Sequence, residues 1–154
     1  MPNWGYSFTA YEEDRMARVS GRELRISPKA AREICHYIRS MKLHQARAFL
    51  ERVVRKEQAV PYRRHKKEVP HKRGLQGWYA GRYPVKAAQQ ILNLLDGLEA
   101  NAEGKGLDVE RLKIVHAAAQ RGRVLKRYFP RAFGRSSPNF EMLCHLEFVV
   151  EESG

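Results

Sequence analysis

Between Gln120 and Pro138 the chain reads QRGRVLKRYFPRAFGRSSP, placing Arg121, Arg123, Lys126, Arg127, Arg131 and Arg135 among the rings of Tyr128, Phe129 and Phe133, with no acidic residue. Guanidinium groups grip phosphate oxygens through paired hydrogen bonds, and aromatic rings stack on unpaired bases. The chemistry on offer is recognition of a polyanion. A solvated charge run is the competing reading, but solvated faces ordinarily mix signs and this one carries a single sign. A second stretch, YRRHKKEVPHKRGLQGWYAGRYP, sets Arg63, Arg64, Lys66, Lys67, Lys72, Arg73 and Arg82 beside Tyr62, Trp78, Tyr79 and Tyr83. Its glycines let backbone approach a phosphate closely. The rival reading here is a disordered tether, which a tryptophan and its tyrosine neighbours fit poorly.

These two windows account for the formal charge of +12: Pro61 to Lys86 holds eight cations against one Glu, Gln120 to Ser137 holds six against none, and the remaining 110 residues come to about −1. A balanced body therefore carries two basic appendages. Cations so concentrated suit a phosphate backbone, where counterion release supplies affinity and makes it salt-dependent. Cations on both faces of the first segment imply a partner that surrounds it, and folded RNA offers phosphates and unstacked bases together.

Catalytic chemistry is poorly represented. A Gly-rich phosphate loop, a serine elbow and an isolated carboxylate pair in an apolar setting are all missing from the sequence. A nuclease would need carboxylates near the basic windows, where Glu68 stands alone. Cys35 precedes His36 and Cys144 precedes His145, with His65 and His71 elsewhere. Zinc ligands normally pair at spacings of roughly two to four residues, and adjacent residues on a strand face opposite ways. No metal or cofactor is expected. The cysteines read as buried free thiols of a protein in a reducing cytoplasm. The leading MPNWGYSF lacks a charged leader followed by an apolar stretch, and no apolar run approaches the ~20 residues that span a bilayer, so membrane insertion is not expected.

Size and pattern specify what holds the windows in place. A length of 154 residues suits one domain. Residues 1–14 show no period, Glu12, Glu13 and Asp14 read as an exposed acidic turn, and a strand is expected only near Glu23 to Ile26, after a break at Ser20 and Gly21. Ser27 followed by Pro28 predicts an N-cap and first helical residue, opening a helix to about Ser40 on the stripe Ile34, Cys35, Ile38 and Met41. A second amphipathic helix follows over Leu43 to Lys56, with Ala46, Phe49, Leu50, Val53 and Val54 inward. Residues 60–83 lose all periodicity and read as a long loop. Pro84 opens a third helix on Ala88, Ile91, Leu92, Leu95 and Leu98, which Gly104 and Gly106 end.

Two strands close the chain, one through Leu112, Ile114 and His116, the other with Phe140, Met142, Cys144, Leu146 and Phe148 on one face and Glu141, His145 and Glu147 on the other. They bracket residues 120–138, so the topology is a long hairpin with its tip at Ala132 to Gly134. At ~3.3 Å per residue its arm reaches on the order of 40 Å, beyond the body. Only the base, about residues 111–119 with 142–150, packs on the helices. The distal ribbon is expected to be mobile until bound.

Several ordered patches carry a family resemblance: RISPKAAREI, VPYRR, GWYAGRYPVKAA, LEANAEGKGLDVERLKIVH, RAFGR and CHLEFVVE. From about Arg22 onward the chain resembles the universal large-subunit ribosomal protein family L twenty-two, in its archaeal and eukaryotic form. The resemblance implies an α+β domain of three helices on a small three-stranded antiparallel sheet with a protruding hairpin. It also implies a non-enzymatic structural role in the cytoplasmic large ribosomal subunit, with large-subunit rRNA, neighbouring ribosomal proteins and the nascent peptide as partners. Carried over residue by residue, the six cations of the hairpin become rRNA contacts, and Ala132, Phe133 and Gly134 become the tip facing the peptide exit tunnel. Residues 60–83 are largely absent from bacterial members, so rRNA contact by Arg63, Arg64, Lys66, Lys67, Lys72, Arg73, Trp78 and Arg82 rests on composition. Phe133 departs from the smaller, polar or basic residue that many members carry, and a chain ending at Gly154 fits an archaeal origin. The alternative function is a generic polyanion-binding chaperone or interaction module without RNA shape selectivity.

Overall fold

The computed structural model describes residues 5–153; the first four residues of the N-terminal stretch that reads as leaderless lie outside them. In chain order the elements are β1 (Met16–Leu24), α1 (Pro28–Ile38), α2 (Leu43–Val54), β2 (Val60–Pro61), β3 (Gly81–Arg82), α3 (Val85–Glu103), a 3-10 turn (Val109–Arg111), β4 (Leu112–Pro130) and β5 (Ser136–Glu152). The strands β1, β5 and β4 form an antiparallel sheet with β5 in the centre, and β2 pairs with β3 in a small antiparallel clip. This is the α+β architecture of three helices on a three-stranded sheet, with the clip added.

The helices follow their caps. Ser27 accepts a hydrogen bond from the Ala30 amide and Pro28 takes the first turn, where its missing N–H costs nothing. The helix stops at Ile38, two residues early, because Ser40 turns into the left-handed region at φ 69° and donates its amide to the Ile114 carbonyl at 2.8 Å. That bond ties the helix end to the sheet. Pro84 sits just ahead of α3, whose face of Ala88, Ile91, Leu95, Leu98 and Ala102 is fully buried. Arg47 on α2 bridges to Asp96 at 2.8 Å and to Glu99, joining α2 to α3 outside the core. Both cysteines are free and buried, and burial pushes the Cys144 thiol up to about 11.

One strand departs from the sequence reading. The first strand spans Met16–Leu24 and not Glu23 to Ile26, and the expected break at Gly21 lies inside its ladder, paired with Leu146. A Cβ at Gly21 would sit 2.8 Å from methyls of Leu24 and Leu94, so the glycine marks close packing against α3. The real irregularity comes after it, a bulge between Gly21 and Leu24 with Glu23 at φ 51°.

The central strand alternates as expected, but both faces of its inner half are buried. Cys144, Leu146, Phe148 and Val150 enter the helical core, while His145, Glu147 and Val149 are equally covered on the reverse. The cover is the aperiodic N-terminal segment: Ser7 donates its amide (3.0 Å) and hydroxyl (2.6 Å) to Glu147, and Phe8 packs its ring 5.2 Å from that of His116. Arg22 reaches the same carboxylate at 3.2 Å. Burial alone would push the Glu147 carboxyl up, yet the Ser7 bonds and Arg22 outweigh it and hold the pKa below the usual range. Phe140 and Met142 belong to the apolar face but lie beyond the helices, exposed.

Because Leu95 is fully enclosed, Leu95→Ala is expected to cost roughly 2–5 kcal/mol of unfolding free energy in a denaturant titration.

Candidate nucleic-acid interface

The hairpin is a single uninterrupted extension of the body sheet. Its ladder runs from Leu112 opposite Glu152 to Pro130 opposite Ser136, with bulges between Ile114 and His116 and between Arg121 and Val124. The second bulge contains Gly122, where a Cβ would lie 3.1 Å from the Leu143 carbonyl and 3.2 Å from the His145 ring. Glycine lets the two chains close there, at the point where the ribbon leaves the body.

Beyond that bulge the alternation is regular. Lys126 and Tyr128 stand opposite Phe140 and Pro138 on one face, and Arg127 and Phe129 stand opposite Asn139 and Ser137 on the other. The Tyr128 and Phe140 rings meet edge to face at 5.8 Å, with the Lys126 ammonium 6.0 Å from the Phe140 ring. Among the described residues, ion pairs of the hairpin lie toward its root: Arg25 makes a two-point pair with Glu141 (3.0 and 2.7 Å), and Arg123 lies 3.6 Å from Glu23. Arg121, Arg123, Lys126, Arg127, Arg131 and Arg135 are all exposed. The tip closes where the Arg131 amide donates to the Arg135 carbonyl at 2.8 Å, leaving Ala132, Phe133 and Gly134 at the apex. Phe133 adopts φ 58° and is 96% exposed, an unusual state for a bulky apolar residue.

The basic loop is far more organised than its composition suggests. The β2–β3 clip closes its neck, His71 bridges Ala80, and the Lys72 amide donates to the Tyr79 carbonyl at 3.0 Å. Trp78 acts as its internal post. The indole N–H donates to the Tyr62 carbonyl at 2.8 Å, Tyr79 stacks on the ring at 4.8 Å, and Arg63 and Lys66 lie over it at 4.9 and 5.5 Å. Lys72 is half-buried with its ammonium over Tyr83, whereas Arg63, Arg64, Lys66, Lys67, Arg73 and Arg82 are exposed.

Sequence reasoning missed the residue that fixes this loop to the body. Glu33, on α1, is fully buried and accepts three successive backbone amides, from Arg63 (3.0 Å), Arg64 (3.0 Å) and His65 (2.9 Å). Burial pushes its pKa up, but the three amides and nearby Arg32 together win and hold the carboxyl below the usual range. The only sequence signal was an acid flanking the apolar stripe of a helix; its partners lie about 30 residues away.

The two basic segments thus leave the body as separate, structured projections. Residues 19–151 match the family model described as ribosomal protein L22p/L17e. The chain belongs to this family. It is 54% identical over 151 residues to the large ribosomal subunit protein uL22 of Archaeoglobus fulgidus, covering 98% of this chain and 97% of that one. The protein of the same name from Methanopyrus kandleri is 54% identical over 153 residues, covering 97% and 96% of the two chains. The Ignicoccus hospitalis protein is 52% identical over 157 residues, covering 99% of each. Within the family frame, both the hairpin and the loop of residues 60–83 lie inside the matched span.

Glu33→Ala should lower stability by roughly 1–3 kcal/mol at neutral pH, since it strands three amides. A carboxyl whose folded-state pKa is lowered contributes fully above its ordinary value of ~4.3, and the contribution fades as pH falls through the folded value. Urea unfolding of parent and variant should therefore differ most at pH 7, and the difference should narrow as pH falls below the ordinary carboxylate range.

Proposed function

We propose that this chain is a non-enzymatic structural component of the large ribosomal subunit that binds rRNA and assists its assembly. The hairpin runs through rRNA, with Arg121, Arg123, Lys126, Arg127, Arg131 and Arg135 meeting phosphates on both of its faces. Ala132, Phe133 and Gly134 lie at the wall of the peptide exit tunnel, beside the nascent peptide. The loop binds a further stretch of rRNA through Arg63, Arg64, Lys66, Lys67, Lys72, Arg73 and Arg82, with Trp78 holding Arg63 and Lys66 in position. Neighbouring ribosomal proteins complete the set of partners.

The observation that carries this reading is the hairpin itself: a ladder paired out to Pro130 and Ser136 that carries six exposed cations, of which Arg123 meets Glu23 of the body near the root while Lys126, Arg127, Arg131 and Arg135 stand farther out along the ribbon. Such a ribbon is marginal in water, so an enclosing polyanion must offset the cost of ordering it. The family membership and the names of its relatives agree with that partner being ribosomal. Among the described residues no helix is long and apolar enough to cross a membrane.

Binding of the isolated chain to large-subunit rRNA should weaken steeply with salt. In Arg127→Ala/Arg131→Ala the slope of log affinity against log salt should fall by about 2, with the thermal unfolding temperature nearly unchanged. Affinity indifferent to salt, or heparin competing as well as rRNA, would replace this reading with a general polyanion binder.

A further inference from the structure

The turn that Glu33 clamps also walls a cavity of ≈ 650 Å³ between the start of α1, the basic loop and the residues leading into α3. That volume lies within the ~300–1,000 Å³ of small-molecule sites. Lys29, Arg64, Lys67 and Arg82 line it, and no carboxylate does. Half-buried Tyr83 contributes aromatic surface to the same space, and Tyr62, 6% exposed, forms part of its floor. Arg82 donates to the Glu68 carbonyl at 3.1 Å, which keeps its guanidinium at the rim and leaves its charge uncancelled.

A ligand matching this cavity needs an anionic part and a planar, weakly polar part. Inorganic phosphate would engage the cations and leave the tyrosines unused. A base-paired duplex would present phosphates, but its bases are stacked and could not enter. The floor is fixed in place: the Tyr62 amide donates to the Ala80 carbonyl, and its own carbonyl holds Trp78. Burial raises the Tyr62 phenol to about 12, so it stays a neutral O–H donor. With the β2–β3 clip and the Glu33 clamp, the walls are formed before any ligand arrives, which lowers the cost of binding.

We propose that this cavity receives one extruded nucleotide of single-stranded RNA, its phosphate among Lys29, Arg64, Lys67 and Arg82 and its base against Tyr83, above the floor that Tyr62 forms. This rests on the rRNA-binding reading and adds to it a pocket that distinguishes unpaired from paired RNA. The loop is then a reader of RNA shape as well as a source of charge.

The test uses the full chain with a short single-stranded RNA carrying 2-aminopurine at its centre, the same RNA annealed into a duplex, and large-subunit rRNA. The parent should change the 2-aminopurine fluorescence of the single strand. Lys29→Ala/Lys67→Ala should lose about tenfold in affinity for the single strand and less than about threefold for the duplex. Neither lysine lies in the core, and an unchanged unfolding temperature verifies the fold; Lys67→Ala alone serves if the double variant is unstable. An unaltered fluorescence with the parent, or equal losses on single strand and duplex, overturns the pocket while rRNA binding stands. Failure of the parent to bind rRNA while still binding the single strand overturns the ribosomal reading and spares the pocket.

Discussion

Everything in this molecule depends on the burial of one strand. The inner half of β5 is covered by helices on one face and by the N-terminal segment on the other, while its outer half forms one rail of the hairpin. Burying apolar surface at ~25 cal/mol per Å² is what anchors a ribbon that could not hold itself. Because β1 and β4 flank the strand inside the body, the hairpin leaves from a support paired along both edges. The direction of the arm is set at the Gly122 bulge, just outside the last residues enclosed by the core.

A strongly cationic chain places its few buried acids with economy. Glu33 and Glu147 are both enclosed and both held ionised by amides and hydroxyls, with arginine close by. Each fastens an aperiodic segment to the body: the basic loop in one case, the N-terminal segment in the other. A buried carboxylate with three donors is far less costly than a bare one, since its hydrogen bonds replace the lost water. The Arg25–Glu141 pair at the hairpin root is exposed by comparison, and screening limits what it adds.

Much of this was legible in the sequence where the cause is local. The Ser27–Pro28 start, the stripe of Leu95 and Leu98, and the turn at Ala132 to Gly134 all follow from residues within a few positions of one another. The charge windows and the family patches were legible for the same reason. The first strand was misplaced because Gly21, a breaker by propensity, is explained only by Leu94 across the fold. Glu33 and the inward role of Trp78 escaped because their partners are backbone groups, which have no identity in a sequence. Burial of Glu147 escaped because the cover comes from a segment about 140 residues away with no period of its own, and that of His145 because its ring accepts the Glu23 amide at the bulge of β1.

The Glu33 clamp holds main-chain amides and reads no side chain. Any residue except proline can therefore occupy positions 63–65 without loosening it, since proline alone lacks the N–H. Arg63 adds only a contact over Trp78. The fold thus leaves the charge of this turn free to drift, and under the proposed function the rRNA becomes the main selector of what stands there. Recognition at these positions can evolve without renegotiating stability.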